Sequence, residues 1–146
     1  MTVPNPESVK RCVRQALANS DVPAEEVGAI NGHLTATGAD PNEVRAWAAA
    51  LECAPEALPP ITSTKSMIGH ALGAAGAIEC VATVLMVNRG FIHPSINCED
   101  VHEEIQPYAG SIVHEAREVP DLRVAIKAGF GFGDVNVCVV FRKWNH

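Results

Sequence analysis

Aromatic rings are scarce in this sequence, at 5% of 146 residues. Small aliphatic side chains must therefore fill the core. Positive charge is also short: 11 Lys and Arg stand against 17 Asp and Glu, a net charge of -6. This argues against nonspecific nucleic-acid binding, which rests on neutralising phosphates with cations. The cysteines, Cys12, Cys53, Cys80, Cys98 and Cys138, form no CxxC pair and no cluster with histidine. Their odd number and wide spread fit free thiols in a reducing cytosol better than a disulfide framework or a metal site. The opening "MTVPNPESVK" has no apolar core of a secretory signal, so a cytoplasmic protein is expected. No bilayer span is expected either. The apolar run 71–87 is interrupted by Glu79 and falls short of the ~20 residues a span requires. Repeats, low-complexity segments and a clear linker are missing as well, so residues 1–146 read as a single unit.

What is present alternates between two periods. Residues 6–19 place Val9, Cys12, Val13, Ala16 and Leu17 at helical spacing, with Asn5 as cap and Pro6 in the first turn. A short apolar strand is expected at 27–31. A helix follows from Asp40, its cap, to about Glu52, with Val44, Trp47, Ala48 and Leu51 inward. A second short strand is expected at 60–63. The helix from about Leu72 to Asn88 is apolar nearly all round, which predicts cover on every side. An irregular stretch then runs to about Val119. Two strands, 122–129 and 135–144, close the chain, joined by "FGFGD". This order predicts an α/β fold, layered around a mixed sheet.

Candidate chemistry gathers at the strand ends, where open α/β sheets bind ligands. "NGHLTAT" puts His33 just past the first strand. "TKSMIGH" puts Lys65 and His70 ahead of the apolar helix, followed by the small residues of "ALGAAGAIE". Taken singly, each has a plainer explanation: a solvated histidine, a surface lysine, glycines for tight packing, a hairpin turn at "GFGFG". Their conjunction, in this order, points to one cleft. His93, His102, His114 and His146 carry no such context. Glu79, in an apolar helix, needs a cationic partner.

The stretches "INGHLTATGAD", "STKSMIGHALGAAGAIE" and "KAGFGFGDVN" resemble the C-terminal half of the β-ketoacyl-[acyl carrier protein] synthases, the condensing enzymes of fatty acid and polyketide synthesis. The resemblance runs from about residue 6 to the end. In the family's N-A-H-G-T-S-T pattern, Gly32, Leu34 and Ala36 replace alanine, glycine and serine, while His33, Thr35 and Thr37 keep their places. Asp134 stands where the family has glycine, and Gly129 where it often has serine. The chain is similar to a divergent branch.

The resemblance implies one half of a thiolase-like fold, α-β-α layers with a buried central helix. The half that carries the family's nucleophilic cysteine has no counterpart in these residues. It further implies that His33 and His70 donate N–H bonds to the thioester oxygen of a decarboxylating malonyl group. Lys65 would support the first histidine and pair with Glu79, and Thr35, Thr37, Phe130 and Phe132 would lie on the substrate side, Phe132 as a gate. No metal or organic cofactor is implied. The implied partners are acyl carrier protein, malonyl and acyl thioesters, and the nucleophile-bearing half or a homologous chain, in an oligomer. Two alternatives remain. "GHALGAAGA" also resembles a thiolase motif, but Lys127 stands where thiolases place a second cysteine. The other is a non-catalytic half-length partner.

Overall fold

The computed structural model describes residues 5–144; His146 and the first four residues of the opening segment lie outside this range. Four helices run over Pro6–Ser20 (α1), Asp40–Leu51 (α2), Lys65–Ile68 (α3) and Ala75–Arg89 (α4). Six strands are Ala29–Asn31 (β1), Ile61–Thr62 (β2), Phe91–Ile92 (β3), Arg117–Glu118 (β4), Val124–Gly131 (β5) and Val135–Arg142 (β6). The main sheet has the order β2-β1-β5-β6. Its first three strands are parallel and β6 returns antiparallel to β5.

Alternation along the strands sorts the two layers. Ile30, Val124, Ile126, Ala128 and Phe130 point towards α1 and α2, whose Val9, Val13, Val44 and Trp47 complete one core. Ala29, Ala125 and Phe141 point the other way, against Met86 and Val87 of α4. The result is the expected α-β-α sandwich around a mixed sheet. Asn5 caps α1 by accepting from the Glu7 N–H at 3.0 Å, with Pro6 at the first helical position.

Several sequence expectations need correction. Asp40 does not cap α2; it is the first helical residue, behind Ala39, and its carboxylate turns back to the loop before it. Of "GFGFG", residues 129–131 belong to β5 and only the turn 132–134 joins the strands. The irregular stretch contains a 3-10 helix, Glu103–Ser111, and the short β3–β4 pair. The largest correction concerns α4, which is not covered on every side. It starts at Ala75, after a 3-10 turn over Leu72–Ala74 in which Leu72 is 78% exposed; within α4, Val81 is 62% exposed, and Ile78, Val84 and Leu85 are exposed too. The segment Leu72–Arg89 is long and apolar enough, by length and composition, to cross a membrane. Here its inner face is committed to the sheet, because one helix can lay only one stripe on one sheet.

α4 ends at Gly90, whose φ of +70° is left-handed. A Cβ at this position would sit 2.9 Å from Pro120 Cα and 3.0 Å from the Val119 carbonyl oxygen. Gly90→Ala meets both penalties, conformational and steric. It should lower unfolding free energy by about 2 kcal/mol or more. The readout is the urea midpoint at unchanged slope.

Candidate active site

The parallel strands β1, β2 and β5 deliver their carboxyl ends to one side of the sheet. There a cleft of about 850 Å³ opens, lined by His33, His70, Glu79, Lys127, Phe130 and Phe132 among others. Thr35 and Thr37 also line it, and their hydroxyls lie 3.1 Å apart.

Two acids hold the loop that carries His33. Glu43 Oε1 accepts the His33 N–H at 2.7 Å and the Trp47 Nε1–H at 3.1 Å, while Oε2 accepts the Leu34 N–H at 2.9 Å. Asp40 accepts the next two amides, Thr35 at 3.1 Å and Ala36 at 3.0 Å. Four consecutive N–H groups outside any ladder are thus satisfied by carboxylates rather than water. Burial pushes the Glu43 carboxyl up to about 7, against the pull of its three donors.

β2 runs directly into α3, and Lys65 is its first residue. Thr64, just before it, is pinned from two sides. Asn31 Nδ2 donates to Thr64 Oγ1 at 2.9 Å, and His93 Nε2 lies 3.1 Å from the same oxygen. His93 thus serves a buried polar network away from the cleft. Asn31 Nδ2 also reaches the Glu79 carbonyl at 3.2 Å and Thr83 Oγ1 at 3.1 Å, tying β1 to α4.

The floor is ionic. The Lys65 ammonium pairs with Oε1 of Glu79, and the Lys127 ammonium pairs with Oε2. All three side chains are at most 4% exposed. Burial pushes Lys65 down from the ordinary lysine range, and Glu79 opposes that shift.

The two imidazoles meet edge to face, ring centroids 5.3 Å apart. His33 also stands edge-on to Phe130, at 5.9 Å. The Leu72 N–H donates to His70 Nδ1 at 3.0 Å. In the neutral ring the proton then sits on Nε2, available as a donor. Burial is the main cause that pushes His33 down to about 4, helped by Lys65, Lys127 and His70 and opposed by Glu79. Near neutral pH its ring is an uncharged imidazole.

The structure therefore brings His33, His70, Glu79, Thr35, Thr37, Phe130 and Phe132 around one cleft, with Phe132, 80% exposed, at its rim in the β5–β6 turn, while Lys65 does not line it and is buried behind Glu79. Sequence reasoning did not assign two residues, Glu43 and Lys127, to the site. Glu43 was readable as an acid four residues before Trp47, on the buried face of α2. Lys127 was readable as a lysine inside the apolar strand "VAIKAG". Of the other histidines, His102 caps the 3-10 helix and His114 lies 3.5 Å from Cys98 Sγ. Among the described residues no group of His, Cys, Asp and Glu could hold a metal ion.

Two measurements check this account. Glu79→Ala leaves two buried ammonium groups without a counter-charge, so it should cost about 3–5 kcal/mol in chemical denaturation. The second is the pH dependence of stability. An unfolded histidine titrates near 6.5, but folded His33 near 4, so its contribution is full above about 6.5 and is lost as pH falls towards 4. Glu43 runs the other way, from 4.5 unfolded to about 7 folded. Its contribution is full below about 4.5 and is lost as pH rises through about 7. His33→Asn should therefore remove acid sensitivity on the order of 1–2 kcal/mol, after allowance for solvent screening. Glu43→Gln should remove the opposite slope.

Residues 1–99 match the family model described as the β-ketoacyl synthase, C-terminal domain. The chain is 39% identical over 145 residues to 3-oxoacyl-[acyl-carrier-protein] synthase 1 of Haemophilus influenzae, covering 99% of this chain and 34% of that protein. It is 40% identical over 144 residues to the chloroplastic synthase II of Arabidopsis thaliana, covering 97% of this chain and 26% of that one. Among solved structures, a β-ketoacyl synthase from Burkholderia phymatum superposes with a TM-score of 0.89 at 31% identity, over 99% of this chain and 34% of that chain. The ishigamide ketosynthase/chain length factor does so with 0.90 at 30%, again over 99% and 34%. The chain thus spans about a quarter to a third of the length of these relatives. Its layered sheet is the C-terminal part of a thiolase-like fold, and the chain belongs to the β-ketoacyl synthase family through that C-terminal domain.

Proposed function

We propose that this chain supplies the enolate-stabilising part of a decarboxylative condensation site. The observation that carries the reading is the pair of imidazoles on one cleft, 5.3 Å apart, above a buried ionic floor. Malonyl thioester loses carbon dioxide as its C–C bond breaks, and the electron pair moves onto the thioester oxygen. N–H groups of His33 and His70 meet that developing charge, as preorganised donors do. The enolate carbon then attacks an acyl thioester carbonyl, and the acyl-carrying thiolate leaves.

That thiolate comes from elsewhere. Among the described residues, no cysteine lines the cleft. Burial pushes the Cys138 thiol up to about 12. Cys80, in the second turn of α4, is raised by burial as well. High thiol pKa values mean little thiolate and little nucleophilicity. The acyl group is therefore held by another polypeptide half, which would be seated on the exposed apolar residues of α4 and β6. Acyl carrier protein delivers both thioesters. The second reading, a non-catalytic half-length partner, draws on the same lack of a cleft cysteine.

The experiment mixes the purified chain with acyl- and malonyl-carrier protein, alone and with a cysteine-bearing first half of a synthase. Ketoacyl product and acylated cysteine are followed by mass spectrometry. The expected outcome is no product alone and product on mixing. With His33→Ala or His70→Ala, the mixture should lose about 100-fold or more in rate, the scale of one lost oxyanion donor. Stoichiometric acylation of one of the chain's own cysteines, with product, would overturn the proposal. Restored activity that ignores both histidines would favour the non-catalytic partner.

A further inference from the structure

Lys127 has no part in the chemistry above, yet it is 3% exposed at the heart of the cleft floor. Its ammonium contacts Glu79 Oε2 and donates to the Ala128 carbonyl. Gly129 leaves it space: a Cβ there would lie 3.3 Å from Nζ. Lys65 already neutralises Glu79. Two ammonium groups therefore share one carboxylate. The other acid nearby, Glu43, spends its oxygens on the amides of His33 and Leu34 and the indole of Trp47. The triad of Lys65, Glu79 and Lys127 thus has two ammonium groups to one carboxylate, and Lys127 and Glu79 line the cleft beside His33.

We propose that Lys127 is a positioning residue: by sharing Glu79 with Lys65 it adds a second ammonium group to the cleft floor, which reinforces burial in keeping His33 an uncharged, N–H-donating imidazole. The inference rests on the enolate-donor reading of His33, but its test needs no substrate. The groups that face His33 are Lys65 from α3, Lys127 from β5, His70 from the loop before α4, Glu79 from α4 and Glu43 from α2. Burial opposes a proton on His33 most, the two lysines and His70 add to it, and Glu79 favours the proton.

Removing Lys127 leaves Lys65 and Glu79 as a one-to-one pair, so no buried charge is orphaned. The test is an NMR titration of the His33 ring in the 146-residue chain, wild type against Lys127→Met and Lys127→Gln. The His33–His70 ring contact is followed in the same spectra. In both variants the His33 midpoint should rise by on the order of half a pH unit or more, with the ring contact kept. A midpoint that stays in place or falls, in a folded variant, overturns the proposal. Loss of the native spectrum in both variants also overturns it, because Lys127 would then be a requirement of the fold. A titration that behaves as stated while the reconstituted mixture makes no product would leave this inference standing and remove the condensation reading.

Discussion

Glu79 lies between two ammonium groups where water does not reach, and much of the structure follows from that arrangement. A buried carboxylate with no partner costs several kcal/mol. α4 must therefore rotate until Glu79 faces the sheet, α3 must start where Lys65 can reach one oxygen, and β5 must present Lys127 to the other. Three elements distant in sequence are registered by one side chain. The Asn31 side chain, bonded to Thr64, Thr83 and the Glu79 backbone, secures the same junction from β1.

The acids divide the work around the cleft. Glu43 and Asp40 bind backbone amides, and Glu79 binds ammonium groups. Among the described residues, neither imidazole is hydrogen-bonded to a carboxylate. A histidine paired with an acid is drawn towards the imidazolium. Here burial is the main cause that keeps His33 uncharged, and the nearby lysines add to it. A neutral ring can donate one N–H to a developing oxyanion without a competing counter-ion, which suits charge that exists only in the transition state.

The helices α1 and α2, the mixed sheet and the cleft at its carboxyl edge were legible because they depend on local periodicity and on strand ends. Val44, Trp47, Ala48 and Leu51 turn inward as their spacing requires. The role of Asp40 was misread because caps and loop-binding acids share the same residue type and the same place before a helix. Lys127 stood out only as a departure from the thiolase motif, because its partner lies 48 positions away and only the fold brings them together. The family's histidine-lysine motif could be matched residue by residue, but nothing in the motif says how many cations Glu79 serves.

The exposure of α4 is a consequence of the ionic floor as much as of the apolar sequence. Once Glu79 is turned inward, Ile78, Val81, Val84 and Leu85 must face away, since they sit on other sides of the same helix. The exposed Val135 and Val137 share the sheet face of Phe141, which packs with the α4 layer. Apolar surface therefore continues from the helix onto β6, the edge strand of the main sheet. Each such side chain gains about 1.5–3 kcal/mol when fully buried, so cover over several of them outweighs the cost of ordering a partner. A covering chain need not touch Lys65, Glu79 or Lys127, which pair with one another inside. The arrangement separates two kinds of surface: exposed apolar side chains run along α4 and β6, and the buried charges of Lys65, Glu79 and Lys127 pair beneath the cleft.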